Sequence, residues 1–187
     1  MAAKDIMYLD IFKIIIRFIA ESENLEIMGN QSAQLLVGSL EIKASAIFAL
    51  NPETEELEHL ASFGLSIDYL NKGPVKITKS KGWASQKTPI AIKDITQTDT
   101  IQYPEHARKE GIRAIVSIPI TFSGKRIGLL RLYHSDVWDI SEPDLDTLSV
   151  LAEIIGMAMM HSRISSALQS VKDIVGEVHS VWLDPKK

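Results

Sequence analysis

The feature that most restricts this chain is a pair of apolar, β-branched runs joined by a short turn and followed at once by a long helical stretch. Ala114–Thr121 runs out, Ser123-Gly124 turns, and Arg126–His134 returns. Two such runs about a two-residue, glycine-bearing connection read as a β-hairpin. Ser141 then has the chemistry of a helix cap, with Pro143 and Asp144 in the first turn. That helix meets no stop before Pro185, although Gly156 and Gly176 lie inside it.

The rest of the chain has to fit around this unit. Apolar residues at i+3 and i+4 (Ile11, Ile14, Ile15, Phe18, Ile19) predict a helix over about residues 4–20. Ser22 and Asn24 punctuate it, and a second helix is expected over about 24–41, striped by Leu25, Met28, Leu35, Leu36 and Leu40. Gly29 and Gly38 should each weaken that helix by about 1 kcal/mol relative to Ala, so packing must hold it. Ala44–Leu50, closed by Asn51-Pro52, and Leu57–Phe63, closed by Gly64, read as a second hairpin with an acidic connection. The middle, residues 64–112, is irregular. It holds helical pieces at Ser66–Leu70 and Gly82–Lys87, a strand at Pro89–Lys93, a polar loop from Asp94 to Gln102, and a helical turn at Pro104–Glu110 stopped by Gly111. Hairpins with helices gathered before and after them imply an α+β fold, an antiparallel sheet covered by helices on one face.

In this order the segments resemble a GAF domain. The resemblance rests on Gly111-Ile112-Arg113-Ala114 running to Pro119-Ile120, on Gly124-Lys125-Arg126-Ile127-Gly128-Leu129-Leu130, and on Ile140-Ser141-Glu142-Pro143-Asp144-Leu145 leading into Leu148–Ala152. Upstream, Lys43–Phe48 and Pro89–Asp94 stand in the expected order, and the likeness covers about residues 24–165. It implies a twisted antiparallel sheet of five or six strands, with the N- and C-terminal helices on one face and loops and short helices on the other. In many members a small ligand sits beneath those loops. The expected division is an N-terminal helix over 1–22, a GAF-like domain over 23–165, and a C-terminal extension of the last helix over 166–187, of the kind found in bacterial signalling proteins.

Composition removes whole classes of function. The net charge is −4 with the signs interspersed, so there is no basic patch to follow a nucleic-acid backbone. The greasy N-terminal stretch is broken by Lys13 and Arg17, falls short of the about 18 apolar residues that span a bilayer, and lacks the marks of a signal peptide. A cytoplasmic location is expected. The chain has no cysteine, which excludes disulfides, thiolate metal sites and a cysteine nucleophile. Within the resembled family it also removes sulfoxide reduction by cysteines and a covalently held bilin. The Asn-Lys-x-Phe-Asp-Glu signature of cyclic-nucleotide-binding members is not found either. Of His59, His106, His134, His161 and His179, no two stand at metal-ligand spacing. Haem through a single histidine is disfavoured, with His106 the first candidate. No catalytic residue and no metal site is expected, and the ligand is unknown.

Two features carry the functional expectation. Along Arg126–His134, Gly128, Leu130 and Leu132 share one face and Ile127, Leu129, Arg131 and Tyr133 the other. A charge at the centre of such a strand needs a partner. That partner is a carboxylate from the covering loops, such as Asp94, or a ligand anion; otherwise Arg131 faces solvent. Trp83, Asp94, Tyr103, His106, Ser117 and Arg131 are the ligand-pocket candidates, against the alternative that Trp83 and Tyr103 plug the space. The second feature is the spacing 4-3-4-3-4 of Ile164, Leu168, Val171, Val175, Val178 and Trp182, a coiled-coil seam. It predicts a homodimer, the alternative being a contact with the chain's own N-terminal helix. The leading reading is a non-catalytic regulatory sensor in signal transduction. A ligand-free scaffold comes second and an enzyme is a remote third. The partners expected are a second copy, an unknown small molecule, and a separate effector protein or an output domain on a longer chain.

Overall fold

Ser123 and Gly124 both take positive φ, 50° and 71°, the pairing that a type I′ hairpin turn requires. That turn fixes the register of the hairpin at the centre of the fold. The structure is a computed structural model and describes residues 9–22, 24–76 and 88–183. Chain order is α1 (Leu9–Glu21), α2 (Leu25–Leu40), β1 (Ala44–Leu50), β2 (Glu56–Phe63), α3 (Ile67–Leu70), β3 (Val75–Lys76), β4 (Ile90–Ile92), a 3-10 turn (Ile95–Gln97), α4 (Pro104–Lys109), β5 (Ala114–Phe122), β6 (Lys125–His134) and α5 (Glu142–Leu183). The strands form one six-stranded sheet in the order β3-β2-β1-β6-β5-β4, every pairing antiparallel. This is the α+β architecture expected. The two-residue β3 was not foreseen, and the helical piece expected at Gly82–Lys87 lies outside the described residues.

Local chemistry sets the helix ends. Asn24 caps α2, its side-chain oxygen accepting from the backbone N–H of Glu26 and Ile27 at 2.9 and 3.0 Å. At α5 the Ser141 hydroxyl accepts from the Asp144 N–H and donates to its carboxylate. Gly111, at φ 75°, turns the chain out of α4 into β5, and its N–H donates back to the Arg108 carbonyl.

The sheet buries both faces. On one, α1, α2 and α5 cover Ile47, Val116, Ile118, Ile120, Leu130 and Leu132. On the other, Ala44, Ala46, Phe48, Ile115, Leu129 and Tyr133 pack with Tyr69 of α3, Ile95 and Ala107 of α4. The alternation read from β6 holds from Gly128 to Tyr133 and fails at Ile127. The register shifts there: Ile120 stands opposite Gly128 but Thr121 opposite Arg126. The extra residue is a bulge, and it turns Ile127 to the helical side.

Two helix glycines have a packing reason. A Cβ on Gly29 would lie 2.7 Å from the Ala61 Cβ, and one on Gly156 would lie 2.6 Å from the Thr121 carbonyl oxygen. Glycine at these positions lets α2 and α5 seat directly on the sheet. Gly38 meets nothing within 4 Å, so its cost to helix propensity stands uncompensated.

Candidate functional site

The face of the sheet away from the long helices carries the polar groups of interest, because register places them side by side. Ala46 of β1, Arg131 of β6, Ser117 of β5 and Ile90 of β4 form one transverse row. Ala44, Tyr133, Ile115 and Ile92 form the next. Arg131 Nε donates to Ser117 Oγ at 3.3 Å, and Ser117 is buried.

Segments 65–75 and 94–112 lie over this face. Ser66 caps α3, and its N–H and hydroxyl both donate to Glu110 at the end of α4, which ties the two segments together. Tyr69 is buried with its ring edge-on to Tyr133, centroids 5.8 Å apart. Lys72 Nζ lies 3.9 Å from the centre of the Tyr69 ring and donates to the Tyr69 carbonyl at 2.9 Å.

The site is electrostatically strained toward positive charge. Burial, and then the Arg131 charge, push Lys72 down to about 8, with Glu110 acting in the opposite sense. Burial first and Lys72 second hold His59 below its ordinary range, which favours the neutral ring. The Tyr133 hydroxyl is fully buried and, among the described residues, has no hydrogen-bond partner of proper geometry, although Arg131 and Tyr69 are near enough to act on its ionisation. An unmade hydrogen bond in such a place is costly.

The structure distributes the sequence-predicted residues as follows. Ser117 and Arg131 come together. Asp94 does not meet Arg131. Its carboxylate accepts from Arg113 Nε and Nη2 at 2.7 and 2.8 Å and caps the 3-10 turn through the Thr96 N–H at 2.9 Å. The expected Asp94–Arg131 pair is thus corrected: Asp94 follows β4 at the sheet edge, beside the start of β5 where Arg113 stands, whereas Arg131 is central on β6. Tyr103 is a clasp between the covering segments, its hydroxyl donating to the Pro74 carbonyl at 2.9 Å. His106 lies edge-on to Tyr103 and is exposed. Trp83 lies outside the described residues. Sequence reasoning did not single out Tyr69, Lys72 or Glu110. The spacing of Tyr69 and Lys72 about a helix end was the available signal. Tyr133 is marked in the sequence as the i+2 neighbour of Arg131 on the same strand face.

On the opposite side, α1 meets α5 along a groove that includes Ile16, Ile19, Met157 and His161. From Arg163 to Val175 every side chain of α5 is exposed, so the helix projects beyond the domain. Ile164, Leu168, Val171 and Val175 of the predicted seam are each more than half exposed. Val178 lies beyond the last described side chain. No helix among the described residues is long and apolar enough to cross a membrane, and no group of three or more potential metal ligands occurs among them.

The sequence profile of the GAF domain matches residues 22–160. No curated protein matches the chain in sequence. Among solved structures, the GAF domain of a phosphoenolpyruvate-protein phosphotransferase from Coxiella burnetii is similar at a TM-score of 0.76 and 19% identity, over 88% of this chain and 99% of that one. The free methionine-R-sulfoxide reductase of Neisseria meningitidis, solved with its substrate, is similar at a TM-score of 0.73 and 15% identity, over 88% and 95%. The phycocyanobilin-bound GAF domain of a cyanobacterial phytochrome is similar at 0.67 and 16%, over 88% and 98%. At these identities the likeness is one of fold.

Proposed function

Because this chain belongs to the GAF domain family, a family of regulatory sensor domains, we propose that it is a non-catalytic sensor that holds a small molecule against the Arg131 face of the sheet and acts through a helix-mediated homodimer. The observation that carries this reading is the continuity of strand and helix across the domain. On β5, Ser117 faces the candidate site while its neighbours Val116 and Ile118 pack in the helical core. Further along the same strand, α5 rests on the Thr121 carbonyl at Gly156 and runs on unbroken into the exposed seam. A change in how the covering segments sit on β5 and β6 therefore bears on the helix that reaches the partner.

The proposed division of labour follows from this. Residues 23–165 hold the ligand, α1 joins α5 at the base of the bundle, and residues 166–187 extend toward the second copy and an effector, all in a cytoplasmic protein. The chain has no cysteine with which to perform the reduction its reductase neighbour is named for.

A ligand-free scaffold is the second reading. It is favoured by one observation, the dense packing of Phe48, Tyr69, Ile95, Leu129 and Tyr133 on the same face. Native mass spectrometry of the full chain purified from cells separates the two. A dimer carrying a discrete small-molecule mass supports the sensor, an empty dimer that takes up nothing from a small-molecule extract supports the scaffold, and a monomer under all conditions overturns both.

A further inference from the structure

The charges around Arg131 do not close. Arg131 has a hydrogen bond to neutral Ser117, and no carboxylate among the described residues pairs with it. Asp94, the natural counter-ion in sequence, is held on both oxygens by Arg113. The connection between β3 and β4, residues 77–87, contains Lys79, Lys81 and Lys87 and no acid, so it has no carboxylate to offer. Lys72 brings a second cation to the same place, near enough that Arg131 repels its proton. Among the described residues Glu110 is the acid that acts on this group, and its oxygens already accept from Ser66. With His59 favoured neutral, two cations face one engaged carboxylate and leave a net positive charge.

Two hydroxyls stand in the same corner. Ser117 is buried beside Arg131, and the Tyr133 hydroxyl is fully buried without a hydrogen-bond partner among the described residues. A guanidinium, an ammonium and a free phenol donor within one partly desolvated space are the elements of an oxyanion site. Resting on the sensor reading above, we infer that the ligand of this domain is an anion whose carboxylate or phosphate group sits between Arg131 and Lys72 and accepts from the Tyr133 hydroxyl. Such a group neutralises the surplus charge and satisfies the orphaned donor in one step.

The test uses the full chain with acetate, succinate and inorganic phosphate, each matched in ionic strength with sodium chloride, and with succinamide as an uncharged counterpart. Thermal melting and the Arg131 Nε–H resonance in heteronuclear NMR are the readouts. A carboxylate or phosphate is expected to raise the melting temperature and move the Arg131 resonance where chloride and succinamide do not. Arg131→Gln and Lys72→Met are each expected to weaken binding about ten- to hundredfold, as loss of one charged hydrogen bond implies. Arg163→Gln, on the exposed stretch of α5, should leave it unchanged. Preference for succinate over phosphate assigns the carboxylate class, and the reverse assigns the phosphoryl class. The inference is overturned if no anion moves the Arg131 resonance beyond chloride, or if Arg131→Gln keeps the full effect. Native mass spectrometry then tells the two failures apart: a neutral passenger leaves the sensor reading standing without an anion, and an empty protein removes the sensor reading itself.

Discussion

Arg113 grips both carboxylate oxygens of Asp94, at 2.7 and 2.8 Å, and this one pair determines what Arg131 lacks. Arg113 stands just before β5 and Arg131 on the neighbouring β6, yet only Arg113, beside the edge strand β4, reaches the acid that follows it. The central one is left with a serine hydroxyl.

The Asp94 pair has a definite pH signature. Hydrogen bonds from Arg113 and then Thr96 hold the Asp94 carboxyl well below the usual carboxylate range. A carboxylate depressed on folding contributes stability above its unfolded value, near 4, and that contribution is lost as the pH falls through the folded value. Asp94→Asn is expected to destabilise the chain at neutral pH, with the gap to wild type narrowing steadily in acid. Chemical denaturation of both proteins at a series of pH values checks this; a gap that does not change with pH would show the ion pair to be without energetic consequence.

Lys72 has the opposite chemistry. It faces Arg131 on β6, Glu110 after α4, Tyr69 on α3 and His59 on β2, and burial with the Arg131 charge lowers it to about 8. Between that value and the ordinary lysine range the unfolded chain binds the proton and the folded chain does not, so stability relative to Lys72→Met should rise with pH there. The domain should also take an anion less well as the pH passes 8, because the ammonium is then lost from the empty site. Arg131→Gln relieves the repulsion. It is expected to return Lys72 toward its ordinary value and to change stability by less than about 0.5 kcal/mol, since no carboxylate is left unpaired. The Lys72 titration, followed by NMR in both proteins, measures the shift directly.

The glycines of the long helices give a paired prediction. Gly156→Ala forces a methyl group against the Thr121 carbonyl, a backbone atom that cannot swing aside, and should cost about 1–3 kcal/mol. Gly38→Ala meets open space and should stabilise by up to about 1 kcal/mol. Thermal denaturation of the two variants decides the matter, and equal effects would contradict the close seating of α5.

How far the sequence revealed this molecule follows from the range of the forces involved. The β5–β6 hairpin was legible because Ser123-Gly124 demands a turn type and the alternation on either side is local. The caps at Asn24 and Ser141 were legible for the same reason. Strand β3 was not, since Val75-Lys76 becomes a strand only by pairing with Leu57 and Glu56. Nor was the bulge at Ile127, which depends on its partner strand. Gly29 read as a weakness and Gly156 as no more than a glycine inside the last helix, because the atoms that demand them, on Ala61 and Thr121, are distant in sequence. The candidate site shows the same limit. Its Arg131–Ser117 contact joins neighbours across a hairpin, but Lys72 and Glu110 arrive from segments whose folding over the sheet no periodicity encodes.

The exposed seam of α5 leads to the last expectation. Ile164, Leu168, Val171 and Val175 repeat at coiled-coil spacing on a stretch where every side chain is exposed in the single chain. About 25 cal/mol is gained for each Å² of apolar surface removed from water, so two such stripes have reason to meet. The seam runs for fewer than three heptads and needs help, which α1 can supply at its base, where Ile16 and Ile19 line a groove with Met157 and His161 of α5. Val171→Asp combined with Val175→Asp places two like charges per chain in the centre of that contact and should convert a dimer to a monomer by light scattering. Because both positions are already exposed in the single chain, the unfolding free energy of the monomeric domain should move by no more than about 0.5 kcal/mol. A dimer that survives the double substitution would put the interface on the α1–α2 side instead, where Ile14, Phe18, Leu35 and Phe63 line a second apolar groove.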